Sequence, residues 1–160
     1  MSVPKRILEE KFRRFVEEDA GHGDVTTYYT IPAETIVEAE IIAKENGVIA
    51  GVEEALMFCE SFGLQAKALV VDGGKIAEKT RILRIEGDAS TTLTIERTLL
   101  NLLSRMSGIA TATNRLIEQI HDAGYKTKVA CTRKTAPGLS HFDKKAVIIG
   151  GGDAHRWGLD

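Results

Sequence analysis

Two cysteines, three prolines and one tryptophan among 160 residues leave several protein classes out. Cys59 and Cys131 lie far apart with no second pair, so neither a cysteine zinc site nor a disulfide framework is indicated, and a reducing compartment fits. No apolar run approaches the ~20 residues of a membrane span. The start, MSVPKRILEEKF, is charged and amphipathic and lacks the apolar centre of a signal peptide. A cytoplasmic protein is the expectation. A formal net charge of −2 gives no basic excess for a nucleic-acid partner. What is present is ordinary globular material: 43% hydrophobic and 28% charged residues, enough for a core in one or two small domains. There is no low-complexity linker and no internal repeat.

The patterning alternates between strand and helix. From Pro4 to Glu18, residues Ile7, Leu8, Phe12, Phe15 and Val16 recur at helical spacing. Gly21-His22-Gly23-Asp24 closes that helix and opens a loop into Val25-Thr26-Thr27, with His22 a loop residue and Asp24 bracing the segment after it. Thr35–Lys44 reads as a strand with Val37, Ala39 and Ile41 on one face. A short apolar stretch, Gly47–Gly51, precedes a helix over Val52–Phe62 that Gly63 terminates. Alternation returns at Leu64, Ala66, Ala68 and Val70, and the turn Asp72-Gly73-Gly74 leads to a strand around Arg81–Ile85. Ser90 then reads as the cap of a helix running to Gly108, with a second helix from Ile109 to Ala123. Last come a short strand, Lys128–Cys131, a loop, and a helix from Leu139 to Ile149.

Chemistry concentrates after that last strand. Thr132-Arg133-Lys134-Thr135, Pro137-Gly138, Gly150-Gly151-Gly152 and His155-Arg156 place three cations and an imidazole on glycine-broken loops. Arginine forks match carboxylate and phosphate oxygens, lysine adds a point charge, and glycine lets backbone amides approach the same anions. These charges are separated by turn residues rather than set at helical spacing, which favours an anion site over a solvated helix face. In α/β barrels, functional side chains sit where strands run out into loops. Gly150-Gly151-Gly152 is not a dinucleotide fingerprint, because the strand-then-GxGxxG context is missing. Cys131 reads as buried and unreactive, and Trp157 as a packing residue.

In order along the chain, Glu18-Asp19, Gly23-Asp24-Val25-Thr26-Thr27, Glu96-Arg97-Thr98 with Asn101, Ser107-Gly108-Ile109-Ala110-Thr111, Thr132-Arg133-Lys134-Thr135, Pro137-Gly138-Leu139, Lys145-Ala146-Val147, Gly150-Gly151-Gly152 and His155-Arg156 with Gly158-Leu159 resemble the quinolinate phosphoribosyltransferase family. The resemblance spans the chain almost from end to end. It implies an α/β protein of two parts. An open-faced α/β sandwich (1–110) precedes the first part of an incomplete α/β barrel (111–160), and two subunits pair head to tail with shared active sites. It also implies a pentosyltransferase. Quinolinate and phosphoribosyl pyrophosphate give nicotinate mononucleotide, CO2 and pyrophosphate in NAD biosynthesis, with Mg2+ held mainly by the pyrophosphate.

Carried onto this sequence, the resemblance makes Arg133 and Lys134 catalytic and substrate-binding. It adds Thr132, His155 and Arg156 to the substrate site, and sends Arg97 across a dimer to the neighbour's quinolinate. No residue is assigned to the metal. The alternative for Arg97 is a solvated or ion-paired helix arginine, and for His155 a bond to a loop carbonyl. Ser140 stands where the family usually has an arginine, removing a positive charge beside the site. The family's later lysine, acidic residues and phosphate-binding glycine loop fall beyond Asp160, so the isolated 160 residues are expected to be inactive. Two other readings remain. One is a ModD-type paralogue linked to molybdate transport, which shares the Thr-Arg-Lys-Thr and His-Arg signatures but lacks the arginine at the position of Arg97. The other is a truncated, non-catalytic chain that dimerises or binds ligand.

Overall fold

The computed structural model describes residues 3–21 and 25–157. The sequence expectations for His22, Gly23, Asp24, Gly158 and Leu159 fall outside the described residues. The elements run α1 (Lys5–Ala20), α2 (Val25–Thr30), β1 (Ile36–Ile42), β2 (Gly47–Val48), α3 (Val52–Ser61), β3 (Gln65–Ala68), β4 (Lys75–Ile76), β5 (Arg81–Asp88), α4 (Ala89–Asp122) and α5 (Ser140–Ile149). The chain forms two compact units, each drawn from several stretches. The first is Met1–Ile42, Val52–Val70 and Arg81–Leu102, and the second is Ala43–Gly51, Val71–Thr80 and Leu103–Asp160. Among the described residues no helix is long and apolar enough to cross a membrane.

The first unit is built on a three-stranded antiparallel sheet in the order β1-β5-β3. Residues directly opposed across a ladder share a face. Ile41 and Ala68 flank Leu83, and Ala39 and Ala66 flank Ile85, making one apolar face. Val37, Ala39 and Ile41 do alternate inward as the sequence predicts. Helix α3 covers this face, and α1 packs on α3 with the Phe12 and Phe58 rings 4.8 Å apart. The other face is charged: Glu38 pairs with Arg84 and Glu40 with Arg81. A sheet with one packed and one solvated face produces this alternation. Gly63 ends α3 in the left-handed region (φ 77°), which lets the Leu64 amide reach the Cys59 carbonyl at 3.0 Å.

The second unit holds a two-stranded ribbon, β2 against β4, and the C-terminal elements. The hydroxyls of Ser107 and Thr111, four residues apart on α4, accept the Ala50 and Val48 amides at 3.2 and 2.9 Å. Four helical residues rise ~6 Å and two strand residues span about 6.6 Å, so the two spacings match. Two residues of the Ser-Gly-Ile-Ala-Thr motif thus fasten the stretch 48–50 to the helix.

Five local expectations need correction. Val25-Thr26-Thr27 begins α2 instead of continuing a loop. The segment between the Asp72-Gly73-Gly74 turn and β5 contains β4, whose two residues carry too little pattern to read. The cap of α4 is Asp88, whose Oδ2 accepts both the amide and the hydroxyl of Thr91 at 2.8 Å; Ser90 already lies within the helix. The two helices expected either side of Gly108 are one helix of 34 residues. A helical glycine costs only about 1 kcal/mol, and the buried positions Ile95, Leu99, Leu102, Leu103, Met106 and Ala110 keep helical spacing across it. The strand at Lys128–Cys131 shrinks to a single parallel bridge, Ala130 to Asp153.

Candidate anion-binding site

That bridge organises the chemistry of the second unit. The Cys131 amide donates to the Asp153 carbonyl and the Asp153 amide to the Val129 carbonyl, each at 2.9 Å. Two parallel backbone segments joined through α5 form a minimal βαβ unit. Parallel pairing brings the C-terminal ends of both segments to one edge. Thr132-Arg133-Lys134 leaves the first segment there, and Ala154-His155-Arg156 leaves the second. Sequence separates these groups by about twenty positions, and the backbone pairing puts them side by side at the edge where α/β proteins place their sites.

Thr132, Arg133, Lys134, His155 and Arg156 are all exposed to solvent. The Lys134 amide donates to Thr132 Oγ1 at 3.2 Å, a local turn that shapes the start of the loop. His155 has φ 57°, a left-handed conformation that costs a non-glycine residue roughly 1–2 kcal/mol. Its amide donates to Asp153 Oδ1 at 2.7 Å. The Ala154 carbonyl accepts from Cys131 Sγ at 3.1 Å, so Cys131 is half-buried beside the site rather than fully buried. The Trp157 ring stacks obliquely 5.8 Å from His141, a packing role.

Sequence reasoning passed over three residues here. Lys144, 2% exposed, donates from Nζ to the Ala154 carbonyl at 3.0 Å and also to the Arg156 carbonyl. Its neighbour Asp143 takes a two-pronged bond from Arg105, Nε to Oδ1 at 2.7 Å and an amino group to Oδ2 at 3.0 Å. This bond to the carboxylate raises the Arg105 pKa above its ordinary value. A lysine on the inner face of a helix contradicts the amphipathic pattern, so no spacing rule could have picked out Lys144 before its backbone partners were known.

The triple glycine has a different task from the one its composition suggests. The amides of Gly150, Gly151 and Gly152 donate to Ala146, Ile148 and Val147, closing the C-terminus of α5. A Cβ on Gly150 would lie 2.5 Å from the Ala110 carbonyl oxygen, and one on Gly152 2.9 Å from Thr113 Cγ2. These glycines serve packing and helix termination. A cleft of about 270 Å3 lies at the opposite end of the bridge, lined by residues that include His121, Lys126, Lys128 and Asp153.

Arg97 belongs to the first unit, on α4. Its side chain is 75% exposed and pairs with Asp19 at 3.3 Å, while Thr98 reaches the other Asp19 oxygen at 3.4 Å. An exposed pair of this kind is worth about 0–1 kcal/mol and exchanges easily for another carboxylate.

The fold is α/β, and its second unit carries a basic edge where two loops meet. Residues 24–107 match the family described as quinolinate phosphoribosyl transferase, N-terminal domain, and residues 109–160 match its C-terminal domain. The chain belongs to the quinolinate phosphoribosyltransferase family. It is 43% identical over 148 residues to a probable nicotinate-nucleotide pyrophosphorylase (carboxylating) of Methanothermobacter thermautotrophicus, covering 92% of this chain and 53% of the relative. It is 42% identical over 155 residues to the nicotinate-nucleotide pyrophosphorylase (carboxylating) of Mycobacterium leprae, covering 94% and 54%. The crystal structure of NadC from Streptococcus pyogenes superposes with a TM-score of 0.91 at 30% identity, over 100% of this chain and 57% of that one. The chain thus spans about half the length of the curated relatives it matches.

Proposed function

We propose that the full-length protein is a decarboxylating quinolinate phosphoribosyltransferase. The pyridine nitrogen of quinolinate attacks the anomeric carbon of phosphoribosyl pyrophosphate, and the bond to pyrophosphate breaks with its electron pair leaving on the pyrophosphate. The 2-carboxylate departs as CO2, and the ring carbon takes a proton from water. Nicotinate mononucleotide is the product. The observation that carries this reading is the parallel bridge, which gathers Arg133, Lys134, His155 and Arg156 on one edge. Two carboxylates, a phosphate and a pyrophosphate need such cationic company. A reaction through an oxocarbenium-like centre draws on positioning and charge more than on a protein nucleophile.

In this reading Arg133, Lys134 and Arg156 bind the anionic groups and His155 donates to a carboxylate. Thr132 shapes the loop. Arg97 gives up Asp19 to reach the quinolinate of a second subunit, so the active protein is a homodimer or larger, in the cytoplasm. Among the described residues no group of three or more His, Cys, Asp or Glu could hold a metal ion, and the nearby Asp153 carboxylate already accepts the His155 amide. The described residues therefore offer Mg2+ no cage of their own. The reading has the ion arrive on the pyrophosphate, where it would neutralise leaving-group charge.

Replacing Arg133 and Lys134 together by alanine in the full-length enzyme is expected to lower nicotinate mononucleotide formation on the order of 10²-fold or more, measured by product chromatography. Turnover like that of the unmodified enzyme would overturn the assignment. Preference for nicotinate over quinolinate would move the protein to a different transferase class.

A further inference from the structure

We propose that Lys144 is a positioning residue for the substrate site: its buried ammonium grips the backbone on both sides of His155 and fixes how His155 and Arg156 face a bound anion. The inference rests on the functional reading above and names a residue that acts through the proposed ligands without touching substrate.

The geometry points to a clamp. Lys144 Nζ donates to the carbonyl of Ala154, immediately before His155, and to the carbonyl of Arg156, immediately after it. The residue so enclosed is the one with φ 57°, a backbone state that is uncommon and costly for a residue other than glycine. Asp153 adds a third restraint through the His155 amide, and Cys131 Sγ a weaker one on the Ala154 carbonyl. The clamp itself has a firm base. Lys144 follows Asp143, which is held to α4 by the two-pronged bond to Arg105, and the Asp143 amide lies in the first turn of α5, bonded to the Leu139 carbonyl.

A simpler account would make Lys144 a stabilising residue with no bearing on the site. Burying an ammonium is costly unless its N–H groups find acceptors, and an apolar side chain of similar length would fill the same space more cheaply. A helix needing only to pack has no use for a lysine there. Two of its donors converge on the three-residue stretch that carries His155 and Arg156, and the positive charge lies behind a site that receives anions.

The test compares Lys144→Met, which keeps the length and removes the donors, with Lys144→Gln, which keeps an N–H2 donor, both in the full-length protein. Lys144→Met is expected to raise the KM for quinolinate about 10- to 100-fold while kcat per folded molecule changes far less, as a small misplacement of binding groups would. Lys144→Gln should recover part of that loss. In Lys144→Met, removing Arg156 as well should cost less than it does in the unmodified protein, because the arginine is already misplaced. Backbone amide resonances should shift at 153–157 and stay in place in β1, β3 and β5. A KM that does not move, full additivity with Arg156→Ala, or failure of both variants to fold would overturn the proposal and leave Lys144 a stability residue. The amide shifts do not depend on turnover. An unmodified protein that ignores quinolinate would therefore defeat the functional reading, whereas unshifted amides at 153–157 would defeat the clamp.

Discussion

Side chains of the same type meet different fates here according to what surrounds them. Cys59 is fully buried in the first unit, and that burial pushes its thiol pKa up to about 11, against a small lowering by a backbone hydrogen bond. Cys131 is half-buried at the basic edge. The thiolate is the reactive form. At about pH 8, a thiol reagent is expected to label Cys131 in the native protein, with Cys59 following only as the protein unfolds. Mass spectrometry of the labelled peptides checks this, and equal labelling of both in native buffer would refute it. The sign for stability comes from the same burial. A raised thiol pKa favours the neutral form, so its contribution is complete below the ordinary value of 9.0 and fades as pH climbs toward 11. Sequence spacing indicated no disulfide framework, and both cysteines are free; exposure separates their chemistry.

The long helix α4 teaches most about elements. Its cap, Asp88, has a pKa below the usual carboxylate value because the Thr91 amide and then the Thr91 hydroxyl donate to it. A depressed carboxylate contributes stability above its unfolded pKa and loses it as pH falls through the lower folded one. Asp88→Ala is therefore expected to be destabilising near neutral pH, with the gap from the unmodified protein closing below about pH 3.8. Denaturant titrations at several pH values measure that gap; one that persists unchanged in acid would count against the cap. Further along, Gly108 is exposed, with open space where a Cβ would go. Gly108→Ala should stabilise the protein by about 0.5–1 kcal/mol by removing backbone freedom from the unfolded chain. A lower melting temperature in that variant would mean that the glycine relieves a contact with something outside the chain. The periodicity of α4 was legible in the sequence, yet its length was not: glycine punctuates loops more often than helices, and buried contacts on both sides of Gly108 decided the matter.

At the scale of the molecule, the proposed ligands are divided between units. Arg97 belongs to the first, and Arg133, Lys134, His155 and Arg156 belong to the second. If Arg97 serves a neighbouring subunit, mixing full-length Arg97→Ala with full-length Arg133→Ala should restore activity in heterodimers, since each hybrid keeps one site with both arginines. A mixture with proven subunit exchange and no recovery would assign Arg97 to its own chain, where Asp19 already holds it.

Sequence alone determined the α/β class, the helices α1, α3 and α5, the inward face of β1 and the identity of the basic residues, because periodicity, terminating glycines and charge are local properties. It also carried the family resemblance, which rests on the order of motifs. Tertiary structure decided what depends on partners far along the chain. The Ala130–Asp153 bridge brings two basic loops to one edge. The Ser107 and Thr111 hydroxyls fasten to backbone near residue 50. The triple glycine closes a helix, although its composition suits an anion. Lys144 shows the division most plainly: a lysine reads as solvated surface by its chemistry, and only the two carbonyls that receive its donors explain why it is buried.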